Sequence, residues 1–156
     1  MEHGKPYPGM VPFSPEEKQR RMARHAEMAD YFQLLGLRLV DLQPGYCRLE
    51  LPFRMDMTHS GGVMQGGLLT TLADSSIAHA AVAALDSDTH RTSTIELKIN
   101  FIRPATGGTF TSHARLIHLG RRTAVGEAEV FDDGGRLIAK CLSSLLVIPA
   151  EDKPPR

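Results

Sequence analysis

The chain has 156 residues, 18 basic and 18 acidic side chains, 42% hydrophobic residues and two cysteines. That is one domain with a sizeable core, and its charge balance gives no long-range pull toward nucleic acid. No charge-free apolar run reaches the length of a membrane span, and Cys47 and Cys141 lack disulfide-framework or metal-ligand spacing.

Residues 1–13, with Pro6, Pro8 and Pro12, are expected as a flexible arm. They show no basic-then-apolar leader, and the two cysteines read as small buried hydrophobes, so the expected location is the cytoplasm. A helix is predicted over residues 14–36. Ser14 caps it, Pro15 takes the first helical position, Glu17 completes a capping box and Gly36 closes it. Met22, Ala26, Ala29, Tyr31 and Phe32 sit among charges, and Lys18, Arg20, Arg21 and Arg24 read as a solvated basic face.

From Leu37 to Phe53 the pattern is strand, interrupted by a "QPG" turn. Residues 54–65 form a loop with tandem glycines. Gly66 to Leu85 follows as a helix apolar on nearly every side, and such a helix is buried. Further strands are "TSTIELKINFIRP", with Ile95, Leu97, Ile99 and Phe101 on one face, then "TFTSHARLIHLG", "TAVGEAEVF" and "RLIAKCLSSLLVIP". Gly107-Gly108 and the "DDGG" run at 132–135 mark turns. Residues 151–156 are expected as a disordered tail. The fold class is α+β: an antiparallel sheet of about five strands wrapped on one long central helix, in a single domain over 14–150, with the extra helix at its N-terminus.

The long helix carries one carboxylate, Asp74. It can be a cap, a buried paired group or a functional residue, and the glycine pair eight residues before it inclines the reading toward function. Gly66 and Gly67 put free amides and the positive end of the dipole at the helix start, where a developing oxyanion can be held. Asp74 lies about 12 Å along the helix from them, so within one chain the two do not share a reacting carbon. Two antiparallel copies of the helix related by a two-fold axis bring the carboxylate of one to the helix start of the other. The spacing therefore implies a site shared in a dimer.

The segment "GGVMQGGLLTTLADSS" resembles the central helix of hotdog-fold acyl-CoA thioesterases of the phenylacetic-acid-degradation (PaaI-like) group. The resemblance runs from about Leu37 to Ile148 and includes "NFIRPA" (100–105) and "GRLIAKC" (135–141). It implies hydrolysis of an acyl- or aryl-CoA thioester to free acid and coenzyme A, with no cofactor beyond the coenzyme A of the substrate. It also implies a homodimer or, as two dimers, a homotetramer. Carried over residue by residue, Asp74 is general base or nucleophile, and Gly66 and Gly67 polarise the carbonyl. Gly62 is the loop glycine, and Thr94 stands where a Ser or Thr holds the attacking water. Aspartate is ionised at neutral pH, as either role requires.

Two positions depart from the family pattern: Gln65 replaces a His and His59 replaces a loop Asn. Gln keeps a hydrogen-bond donor but does not carry a proton. The departures leave open a member that binds acyl-CoA without efficient hydrolysis. Ser75 and Ser76 are candidates to touch Asp74 or substrate, and Arg103, Arg121 and Arg122 to touch the coenzyme A phosphates. Asp74 and His79 superficially match hotdog enoyl-CoA hydratases, yet at this spacing they diverge by about 140° on a helix. His113 and His118 lie five apart on one strand, which puts them on opposite faces, a poor metal pair. No nucleophile elbow, P-loop or zinc motif is present, and no metal is expected.

Overall fold

A computed structural model of the chain describes residues 4–27, 30–59, 61–85 and 89–149. The expectation for the tail at 151–156 and those for Ala26 and Ala29 fall outside the described backbone or side chains. The elements are α1 (Pro15–Glu27), α2 (Asp30–Leu35), β1 (Arg38–Gln43), β2 (Tyr46–Pro52), α3 (Gly66–Ala84), β3 (His90–Phe101), β4 (Thr109–Leu119), β5 (Thr123–Phe131) and β6 (Leu137–Pro149).

One antiparallel sheet holds six strands in the order β1-β2-β4-β5-β6-β3, and α3 touches all of them. The fold is the expected α+β hotdog. Six strands rather than about five arise because the "QPG" turn splits Leu37–Phe53 into a hairpin in which Gln43 pairs with Tyr46. Gly45 has φ +78° there, and a Cβ on it would fall 2.6 Å from the Cβ of Tyr7. Glycine suits both demands.

The helix can lie close in the sheet because the inner face is built from small residues. Ala114, Ala128 and Ala139 are fully buried, and a Cβ on Gly126 would meet Ile77 Cγ2 at 2.5 Å. Leu49, Leu51, Phe110, Leu145, Leu72 and Ile77 fill the remaining volume. Among the described residues no helix is long and apolar enough to cross a membrane.

The predicted N-terminal helix is described as two. Ser14 accepts a bond from Glu17 N at 3.2 Å as predicted. The Glu17 carboxylate, however, takes Arg21 Nε at 3.0 Å instead of closing a capping box. Residues 4–13 contain no helix or strand, but they are laid on the β1–β2 hairpin. Tyr7 N donates to Pro44 O at 2.7 Å and Phe13 N to Gln43 Oε1 at 3.0 Å. The basic face is only partly free in solvent: Lys18 pairs with Asp41 at 2.5 Å, and Arg21 stacks on the Phe13 ring at 4.6 Å.

Two bulges overturn parity expectations. Thr94 pairs with Leu145 and Glu96 with Ser144, so Ile95 is the extra residue and stands 59% exposed instead of joining Leu97 and Ile99 on the inner face. A second bulge between Leu116 and His118 returns His113 and His118 to the same face. Their partners Glu129 and Val125 are four residues apart on β5, so about 13 Å still separates the histidines. No group of metal-holding side chains occurs among the described residues.

Candidate active site

The loop before α3 is pinned on both sides. Met64 N donates to Ala105 O at 2.8 Å, Gln65 N to Met57 O at 2.9 Å, and His59 N to Val63 O at 3.0 Å. Gly62 turns within this loop at φ +68°. These bonds aim the first turn of α3 at a cleft of about 380 Å³, lined by His59, Met64, Gly66, Leu69, Phe101 and Arg103 among others. His59 Nδ1 accepts from Gly61 N at 3.2 Å.

Gln65 is the N-cap of α3, and its side-chain Oε1 accepts from Gly67 N. That bond satisfies one of the amides expected to meet the substrate. The Gly66 amide has no acceptor among the described residues. The helix start thus presents one open donor, and a second that Gln65 covers until its side chain turns away.

Asp74 sits on the open side of α3, half-buried, and is not part of the cleft lining. Its Oδ1 accepts from Thr94 Oγ1 at 2.8 Å. The bulge at Ile95 makes this contact possible. Without the extra residue, Thr94 and Leu97 would point to opposite faces of β3; with it, both face α3. Cys141 lies on the neighbouring strand, and burial first, then the charges of Asp74 and Glu96, push its thiol up to about 12. It stays protonated and is no rival nucleophile.

The structure separates the other candidates. Ser75 is bonded through its hydroxyl to Tyr31 Oη at 3.2 Å. Ser76 is fully buried against the sheet, bonded to Ser112 Oγ at 2.7 Å and to Ala73 O at 2.8 Å. Neither hydroxyl is directed to Asp74, because successive residues of a helix leave at about 100° to one another. Arg103 borders the cleft while bonding Leu137 O at 2.6 Å. Arg121 and Arg122 are exposed in the β4–β5 turn, where Arg122 O accepts from Val147 N at 2.9 Å. That turn lies toward the Thr92 end of β3, away from the helix start. His79 is turned from Asp74: its Nδ1 contacts Ser75 O at 2.7 Å, its ring packs on Phe32 at 5.2 Å, and burial lowers its pKa. A hydratase pair is therefore not assembled.

Phe101 is the cleft residue that sequence reasoning placed in the core alone. A Cβ on Gly66 would meet its ring at 3.0 Å, a proximity that alternation along β3 does not announce.

A long helix in a six-stranded antiparallel sheet, opened by a glycine pair and followed by one outward carboxylate, defines a hotdog protein of the PaaI-like kind. The family model of the thioesterase superfamily matches residues 61–139, and the chain belongs to that superfamily. It is similar to a candidate esterase of Saccharolobus solfataricus, 34% identical over 118 residues, covering 76% of this chain and 77% of the relative. Among solved structures, a conserved protein of Pseudomonas aeruginosa is 36% identical with TM-score 0.76, covering 81% of this chain and 99% of that one. The E. coli PaaI protein of the phenylacetic acid degradation operon shares the fold at 21% identity and TM-score 0.77, over 83% of this chain and 92% of its own. The chain is accordingly a hydrolase of the thioesterase superfamily.

Proposed function

We propose that the chain hydrolyses an acyl- or aryl-CoA thioester to the free acid and coenzyme A, in a site shared by two copies. The observation that carries this reading is the Thr94–Asp74 hydrogen bond of 2.8 Å. It fixes one carboxylate oxygen on the open side of α3 and leaves Oδ2 to take a proton from water. The water oxygen then bonds to the thioester carbonyl carbon. The resulting oxyanion sits on the Gly66 amide at the helix start of the second copy, joined by Gly67 once Gln65 swings aside. The C–S bond breaks, and coenzyme A leaves as a thiolate that recovers the proton held by Asp74. In the variant route Asp74 attacks directly, forming a mixed anhydride that water opens. Water is the only co-reactant in either route.

The dimer forms along β3, an outer strand of the sheet. Antiparallel pairing there sets the two α3 helices in opposite directions, and a pair of dimers makes a tetramer. His59 lines the cleft, and Gly62 turns the loop that carries it. Arg103 on its rim, or Arg121 and Arg122 beside the Asp74 end, meets the coenzyme A phosphates.

One observation favours a second reading, an acyl-CoA-binding protein without turnover: Gln65 occupies the Gly67 amide. Thiol release from a panel of aryl and fatty acyl-CoAs separates the two. The hydrolase reading expects release, and a loss of about 10³-fold in kcat/KM for Asp74→Asn. Saturable binding with no release from any thioester supports the binding protein, and an unimpaired Asp74→Asn sinks the assigned base.

A further inference from the structure

Phe101 ends β3 on its inner face, opposite Ala139, and remains 53% exposed. Its ring points tip-first at the first residue of α3. A methyl group built on Gly66 would lie 3.0 Å from Cζ and 3.3 Å from each Cε. The same ring walls a cleft whose floor, Met64, Leu69 and Ala105, is at most 3% exposed. The open Gly66 amide lies beside it. The ring lies in contact range of Gly66 itself, so it is the side chain beside an acyl group whose oxygen that amide holds. An apolar wall at the reacting carbonyl discriminates between acyl groups by single methyl groups.

We infer that Phe101 is a specificity-determining residue: it admits acyl groups unbranched at the carbon next to the carbonyl and rejects those with a methyl there. The extra methyl meets the ring tip as a methyl on Gly66 would. The inference rests on the thioester reading and on Gly66 as the amide that receives the carbonyl oxygen.

Butanoyl-CoA and 2-methylpropanoyl-CoA have the same number of carbons and differ in that branch, so the ratio of their kcat/KM values isolates it. In the wild type the straight acyl group is favoured at least about tenfold. Phe101→Ala lowers the ratio about tenfold, chiefly by raising kcat/KM on the branched thioester, and Phe101→Leu falls between. If the alanine variant loses its helical circular dichroism, the leucine variant reads the same ratio. A ratio unchanged in both variants, or a wild type that treats the two substrates alike, overturns the assignment of Phe101 while leaving thioester hydrolysis intact. A wild type that releases thiol from no thioester overturns both.

Discussion

Two neighbouring faces of α3 share a helix and little else. From Gly66 to Asp74 the outward side is open: Gly67 is exposed, Gly66, Thr70 and Asp74 are half-buried, and the surroundings are a cleft and an outer strand. The adjoining face, at Ser75 and His79, meets α2 instead. Tyr31 bonds Ser75, and Phe32 packs on His79. Five residues separate a carboxylate bonded to Thr94 from a histidine whose ring contacts its own backbone and Phe32. On the face that meets α2 the polar side chains are satisfied locally and add to cohesion.

Three perturbations break or sharpen that contrast. The largest effect is expected for the open face. Asp74→Asn and Gly66→Val, the latter pressing on Phe101, should each be inactive alone. Mixed after unfolding and refolding, they should recover about a quarter of wild-type activity, because half of the random dimers are mixed and each of those rebuilds one of two sites. A mixture no more active than its components would show that each copy holds a complete site.

Thr94→Val should lower kcat about 10- to 100-fold with the melting temperature nearly unchanged, since it frees the carboxylate without opening the core. Thr94→Ser should keep most activity. Equal losses in both would mean that the hydroxyl is not what positions Asp74.

On the face that meets α2 the effect is on stability and is smaller. His79 has its pKa lowered from 6.5 by burial. The unfolded chain then binds a proton before the folded one does as pH falls below 6.5. Stability is therefore full above that value and declines as pH drops toward the folded-state pKa, by at most about 1.4 kcal/mol per pH unit from this group. Urea unfolding of His79→Leu between pH 8 and 5 should show a flatter decline than the wild type, with kcat at pH 8 preserved. A parallel decline would remove His79 as its source.

Much of the fold was legible because its signals are local. Pro44-Gly45 and the run at 132–135 announce turns, alternation announces strands, and the Ala/Leu-rich run from Gly66 announces a buried helix. The separation of Asp74 from the glycine pair was legible too, because helix rise is a constant of the backbone. Three features of the site were not. The Ile95 bulge depends on the pairing of Thr94 with Leu145, a residue far along the chain. The Gln65 cap depends on a side-chain torsion that the spacing of residues does not encode. The sealing of Ser75 and His79 depends on where α2 docks.

By itself, then, the sequence determined the class of fold, the buried helix and the one carboxylate standing out of place, since each is written in periodicities of two or 3.6 residues. Only tertiary structure decided which way Thr94 faces and which face of α3 stays open. A single inserted residue in a strand reverses the side that every later side chain takes, and only the ladder to the neighbouring strand shows where the insertion is absorbed.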